Sequence, residues 1–91
     1  MLLPSFKVYV ADSKIENGKR GVFSLEEIEK GEIIERCPII EIDGKEIWLG
    51  FGLLYQHSDQ ANATYENFPK DNLIKFVATK NIGKNEEITV K

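Results

Sequence analysis

Leu49-Gly50-Phe51-Gly52-Leu53-Leu54-Tyr55-Gln56-His57-Ser58-Asp59-Gln60-Ala61-Asn62-Ala63-Thr64-Tyr65-Glu66 is the stretch around which the rest of the sequence is organised. It gathers two of the three tyrosines and the only histidine of the chain. Apolar residues lead, and a polar cluster able to hydrogen-bond in several directions follows. Residues 63–67 then leave as an alternating, strand-like run. Ordinary core segments do not mix residue types in this way, so the stretch reads as a ligand-binding loop centred on Gln56, His57 and Ser58. For His57 alone, a hydrogen-bonded loop histidine is the simpler account.

Working outward, two alternating runs at 39–42 and 45–49 flank Asp43-Gly44, the signature of a two-residue type I′ hairpin. Residues 32–37 form a strand that Pro38 breaks and residues 39–42 continue. Further back, Phe6-Lys7-Val8-Tyr9-Val10 alternates as a strand, Asn17-Gly18 turns, and residues 21–25 return. Ser24 and Glu27 have capping-box spacing, which predicts at most one helical turn closed by Gly31. Beyond the central stretch, residues 69–72 turn, residues 73–78 return as a strand, and residues 87–90 form the last one. One internal echo stands out: Ile28-Glu29-Lys30-Gly31-Glu32-Ile33 resembles Ile82-Gly83-Lys84-Asn85-Glu86-Glu87-Ile88. Gly31 and Asn85 are both residue types that accept a left-handed conformation before a strand. The echo is either two similar turns or a duplication. The expected fold is mostly β, with short strands, tight turns, little helix and one domain over residues 1–91.

Composition narrows the function classes. With 91 residues, 42% hydrophobic and 30% charged, this is an ordinary small globular composition. The net charge of −3, with basic residues scattered among acids, argues against a nucleic-acid binder and tolerates basic protein partners. A single cysteine, Cys37, excludes an internal disulfide or a cysteine-based zinc cluster and fits a reducing, cytoplasmic setting. Met1-Leu2-Leu3-Pro4 is too short for an export-signal core, and no apolar run reaches membrane-spanning length.

The adjacency of His57, Ser58 and Asp59 excludes a hydrolase triad, whose members converge from separate elements. One histidine with scattered carboxylates supplies no metal-ligand spacing. Gly50-Phe51-Gly52 is too short for a dinucleotide or nucleoside-triphosphate loop. Trp48, Phe51, Tyr55 and Tyr65 are ordinary core material by residue type.

Several segments, taken in order, resemble SET domains, the family of S-adenosylmethionine-dependent protein-lysine methyltransferases. Gly18-Lys19-Arg20-Gly21-Val22-Phe23-Ser24 looks like the family's N-terminal glycine motif. Residues 28–33 resemble the turn after it. Residues 49–58 resemble the central Asn-His-Ser motif with its helical approach, and Asn62-Ala63 continues the match. Residues 76–90 resemble the closing segment. The resemblance implies a β-clip-like SET fold and methyl transfer to a protein or peptide lysine; charge and apolar run lengths, as above, speak against direct nucleic-acid or membrane partners. It assigns the S-adenosylmethionine contacts to Lys19, Arg20, Gly21, Val22, Gln56 and His57.

Three positions differ from the family pattern. Lys19 stands at the first glycine of Gly-x-Gly, Gln56 at the asparagine, and Ala61 at a proline. Restoring asparagine at 56 is therefore expected to preserve or strengthen cofactor binding. The family carries a catalytic tyrosine just after the stretch matching Thr89-Val90, whereas the sequence given runs to Lys91. Tyr9, Tyr55 and Tyr65 are all candidates for that role by residue type, and Tyr55, in the central stretch, is the one taken. Either a second copy of the chain or another partner roofs the lysine channel, or it has no roof. The alternative is a catalytically inactive relative that binds a peptide, a partner or the cofactor. Residues 76–88 alone also resemble SAF-type modules, a match that leaves Gln56-His57-Ser58 unexplained.

Overall fold

Asp43 and Gly44 take left-handed φ values of 50° and 75° in the computed structural model, which describes residues 7–91. That pair of conformations is what a type I′ turn requires. The turn joins β3 (Ile33–Ile42) to β4 (Lys45–Trp48), with Ile42 opposite Lys45 and Ile39 opposite Trp48. Pro38 does not break β3; it marks where the strand changes partners. Residues 33–38 pair with the later strand β7 (Leu73–Ala78), and residues 39–42 pair with β4. Proline has no N–H to donate, so the handover falls where a ladder bond is missing.

Between these strands lie β5 (Gln56–His57) and β6 (Ala63–Phe68). β6 pairs antiparallel with β7 along its full length, through a 3₁₀ turn at Pro69–Asp71 and Asn72 at φ 49°. On the opposite side, β1 (Val8–Asp12) pairs with β2 (Arg20–Ser24), and β2 with β8 (Glu87–Val90). The strand order is β1-β2-β8-β6-β7-β3-β4, with β5 beside β8. Phe6, part of the expected first strand, lies outside the described residues, as do residues 1–5. The expected helical turn after Ser24 is absent. Ser24 ends β2, and its hydroxyl donates to the Gly83 carbonyl and accepts from Glu86 N. The helical approach to Gln56 is likewise a set of turns, with Leu54 N donating to the Phe51 carbonyl at 2.9 Å.

The final strand runs parallel to β5, with Gln56 opposite Thr89 and His57 opposite Val90. Asn62 pins this crossing. Its amide donates to Glu86 Oε2 and the Glu87 carbonyl, and its oxygen accepts from Thr89 N at 2.9 Å. A short side chain only 8% exposed thus replaces several ladder bonds where three strands converge. This tuck of the last strand beneath the Gln56 loop leaves no room for the SAF-type reading.

The sequence echo becomes a local two-fold. Ile28 and Ile82 exchange backbone bonds of 2.9 and 2.8 Å. Gly31 N reaches the Ala78 carbonyl as Asn85 N reaches that of Ser24, both at 2.8 Å. Ala78 N to Glu32 and Ser24 N to Glu86 match at 3.0 Å. Gly31 and Asn85 both have positive φ, at 89° and 65°. Around this dyad lies the core of Val22, Ile28, Ile34, Ile74, Phe76, Ile82 and Ile88.

Candidate functional site: a recess between the glycine motif and the Gln56 loop

Asn17-Gly18 ends the loop between β1 and β2. Gly18, not Lys19, takes the left-handed conformation, at φ 81°. A lysine at position 19 is therefore compatible with the backbone, because the turn falls one residue earlier. Lys19 and Arg20 are exposed, whereas Gly21 and Val22 are buried within β2, opposite Ala11 and Val10. The motif accordingly splits. Lys19 and Arg20 line a surface recess of about 400 Å³ together with Leu53, Leu54, Tyr55, Gln56 and His57. Gly21 and Val22 are not among its lining residues.

The second wall is held against the first by Gln56, whose Nε2 donates to the Arg20 carbonyl at 2.7 Å. Asparagine, one methylene shorter, could not make this bond from the same backbone position. His57 is exposed, and it also borders a smaller aromatic recess of about 150 Å³. Trp48, Tyr65 and Phe76 form walls of this second recess, and Leu53 and Tyr55 border both. Leu53 is 74% exposed at the shared rim. A third recess of about 340 Å³ lies between His57, Ser58, Asp59 and Lys91.

Tyr55 is 5% exposed and stacks on Phe76, with ring centroids 4.1 Å apart. Its hydroxyl donates to Glu35 Oε1 at 2.7 Å. Burial first, and then the neighbouring carboxylate, push that hydroxyl well above the usual tyrosine range. The ring faces the recesses while the hydroxyl is committed to the interior.

Glu35 is itself only 6% exposed, and its Oε2 accepts from Phe51 N at 3.0 Å. A β-bulge between Ile33 and Glu35 puts both Ile34 and Glu35 inside, which strict alternation forbids. Gly50, at φ 80°, leaves room for the carboxylate: a Cβ there would stand 2.5 Å from Glu35 Oε2. The same burial, with Glu35 as a second cause, pushes the Cys37 thiol up to about 12.

Sequence reasoning missed Glu35, Trp48, Leu53 and Phe76 as parts of this site. The one legible signal was a carboxylate inside the apolar run Ile33-Ile34-Glu35. The parity change that turns it inward belongs to the bulge.

This crossing of strands and its flanking recess define a class. A family model for the SET domain matches residues 40–91, and the chain belongs to the SET-domain family. Among solved structures, a candidate histone methyltransferase of Plasmodium falciparum is 37% identical, with a TM-score of 0.78 over 93% of this chain and 96% of that one. The methyltransferase domain of human PR domain-containing protein 2 shares the fold at 14% identity and TM-score 0.71, over 98% of this chain and 78% of that one. So does Polycomb Repressive Complex 2 of Chaetomium thermophilum in an autoinhibited conformation bound to S-adenosylmethionine, at 17% identity and TM-score 0.70. There the match covers 98% of this chain but 15% of the larger one. No curated protein sequence matches.

Proposed function

We propose that residues 1–91 act as one methyltransferase unit that transfers a methyl group from S-adenosylmethionine to a lysine of a protein or peptide. The observation that carries this reading is the Gln56–Arg20 bond, which closes two sequence-distant motifs around one recess. The lining fits the cofactor's chemistry. Lys19 and Arg20 offer positive charge to a carboxylate, Leu53, Leu54 and Tyr55 offer apolar surface, and His57 adds a polar edge.

S-adenosylmethionine supplies a methyl group on a sulfonium, open to in-line displacement by an amine. The chain's own residues do the rest. The aromatic recess of Trp48, Tyr55, Tyr65 and Phe76 would take the lysine's alkyl stem and strip water from its nitrogen. Desolvation disfavours the ammonium form, so the nucleophilic neutral amine is reached at lower pH than in water. Tyr55 serves as the shared wall that aligns the two recesses, a role for its ring more than for its hydroxyl. The net charge of −3 suits a basic substrate segment.

Calorimetric titration with S-adenosylhomocysteine tests the binding step, and mass spectrometry of lysine peptides incubated with S-adenosylmethionine tests the transfer. His57→Ala is expected to weaken binding by about tenfold, the scale of one lost hydrogen bond to a charged ligand, with Asp59→Ala weaker in effect. Gln56→Asn is now expected to weaken binding too, because the shorter side chain releases Arg20. Wild-type protein that binds neither the cofactor nor its product would overturn the reading.

A further inference from the structure

Gly21 is buried in β2 and does not line the recess, yet its place in the motif calls for a physical reason. A Cβ at this position would overlap the Glu87 carboxylate. Glu87 sits opposite Phe23 on β8, so its side chain runs diagonally across the same face, over Gly21. There the carboxylate accepts from Ser13 Oγ at 2.6 Å and from Lys14 N at 2.7 Å. Ser13 Oγ in turn accepts from the backbone N–H groups of Ile15 and Glu16, and Ser13 N donates to the Lys19 carbonyl at 2.8 Å. One carboxylate on the last strand thus organises the loop that ends in Lys19 and Arg20. Two residues further on, Thr89 lies opposite Gln56, in the other wall.

We propose that Glu87 is a positioning residue for the large recess, and that Gly21 serves it by having no side chain. Glu87 and β8 fix the Ser13–Lys19 loop relative to Gln56, and with it the separation of the two walls. This rests on the proposed cofactor reading for its ligand, but the clamp itself can be tested without any ligand.

The discriminating feature is that the Glu87 carboxylate is the far end of a flexible, half-buried side chain. Gly21→Ala can push it aside at little cost to the fold while freeing the loop. Hydrogen exchange followed by mass spectrometry on the full chain should show peptides covering 13–18 exchanging about tenfold faster in Glu87→Ala and in Gly21→Ala, the scale of one charge-assisted bond. Peptides covering 73–78 should be unchanged. Affinity for S-adenosylhomocysteine, measured on the same samples, should fall in both variants with melting temperatures near wild type.

The double variant Gly21→Ala/Glu87→Ala should bind no more weakly than Glu87→Ala alone, because both changes break one clamp. Additive losses would mean that Gly21 meets the ligand itself, and would overturn the proposal. Unchanged exchange at 13–18 would overturn it as well, as would faster exchange with full affinity. If wild-type protein does not bind S-adenosylhomocysteine, the cofactor reading fails, while the exchange result still decides the clamp.

Discussion

On one side of the recess Glu35 is 6% exposed and clamps Phe51 N and the Tyr55 hydroxyl; on the other, half-buried Glu87 clamps Ser13 and Lys14 N. Each carboxylate occupies the place where a glycine, Gly50 or Gly21, carries no Cβ. The geometry is shared and the solvent is not. Buried, a carboxylate has no water to return to when a partner is lost, so disturbing it costs the desolvation of the orphaned group. Half-buried, it still reaches water, exchanges protein donors for it, and the loss stays local. The Glu35 side should therefore govern stability, and the Glu87 side the order of one loop.

The largest expected effect is at Gly50. Gly50→Ala meets a positive φ and a carboxylate that cannot swing into solvent, and should destabilise by about 3 kcal/mol or more. Urea denaturation followed by tryptophan fluorescence would measure it. A loss as small as that of Gly21→Ala would erase the contrast between the two sides.

Glu35→Gln comes next. The amide can offer its oxygen to Phe51 N and its NH₂ to the Tyr55 oxygen, but the buried hydroxyl proton then loses its acceptor. About 2 kcal/mol of stability should go.

Alkaline pH probes the same cluster. The Cys37 and Tyr55 groups are held protonated in the folded state, so the unfolded chain releases protons first. Stability should fall as pH rises above about 9, the ordinary thiol value, and more steeply above 10, where free tyrosine ionises. Tyr55→Phe should remove the steeper component, as read from melting temperature against pH. At the acid end the sign reverses for Glu32, whose carboxyl Lys7 holds below the usual range, and its contribution fades as pH falls below about 4.5.

Smallest of all is Glu87→Gln, expected to change global stability by less than about 1 kcal/mol while loosening the 13–18 segment. Thermal melts should barely move where hydrogen exchange does.

Much of this was legible residue by residue. Asp43-Gly44 announced its hairpin because two consecutive left-handed residues restrict the choice to few amino acids. Leu73–Ala78 and Glu87–Val90 were readable as strands from their apolar patterning, and they form as expected. The echo between residues 28–33 and 82–88 was visible, but only the paired backbone bonds make it a two-fold. A helical turn after Ser24 was misread because capping-box spacing is local, and the Ser24 hydroxyl is taken by a turn 59 residues away in sequence.

By itself, then, the sequence determined most of the strands and the Asp43-Gly44 hairpin, through short-range rules of backbone conformation and side-chain type, and the family, through its ordered motifs. It also named Lys19, Arg20, Gln56 and His57, which the fold brings to one recess. Only the tertiary structure decided that Gly21 and Val22 turn inward, that Gln56 uses its extra methylene to reach Arg20, and that Glu35 is buried. Each of those depends on a parity change or a crossing between segments distant in the chain. A one-residue bulge or a parallel tuck leaves almost no trace in local composition, yet it sets which side of a strand meets the solvent.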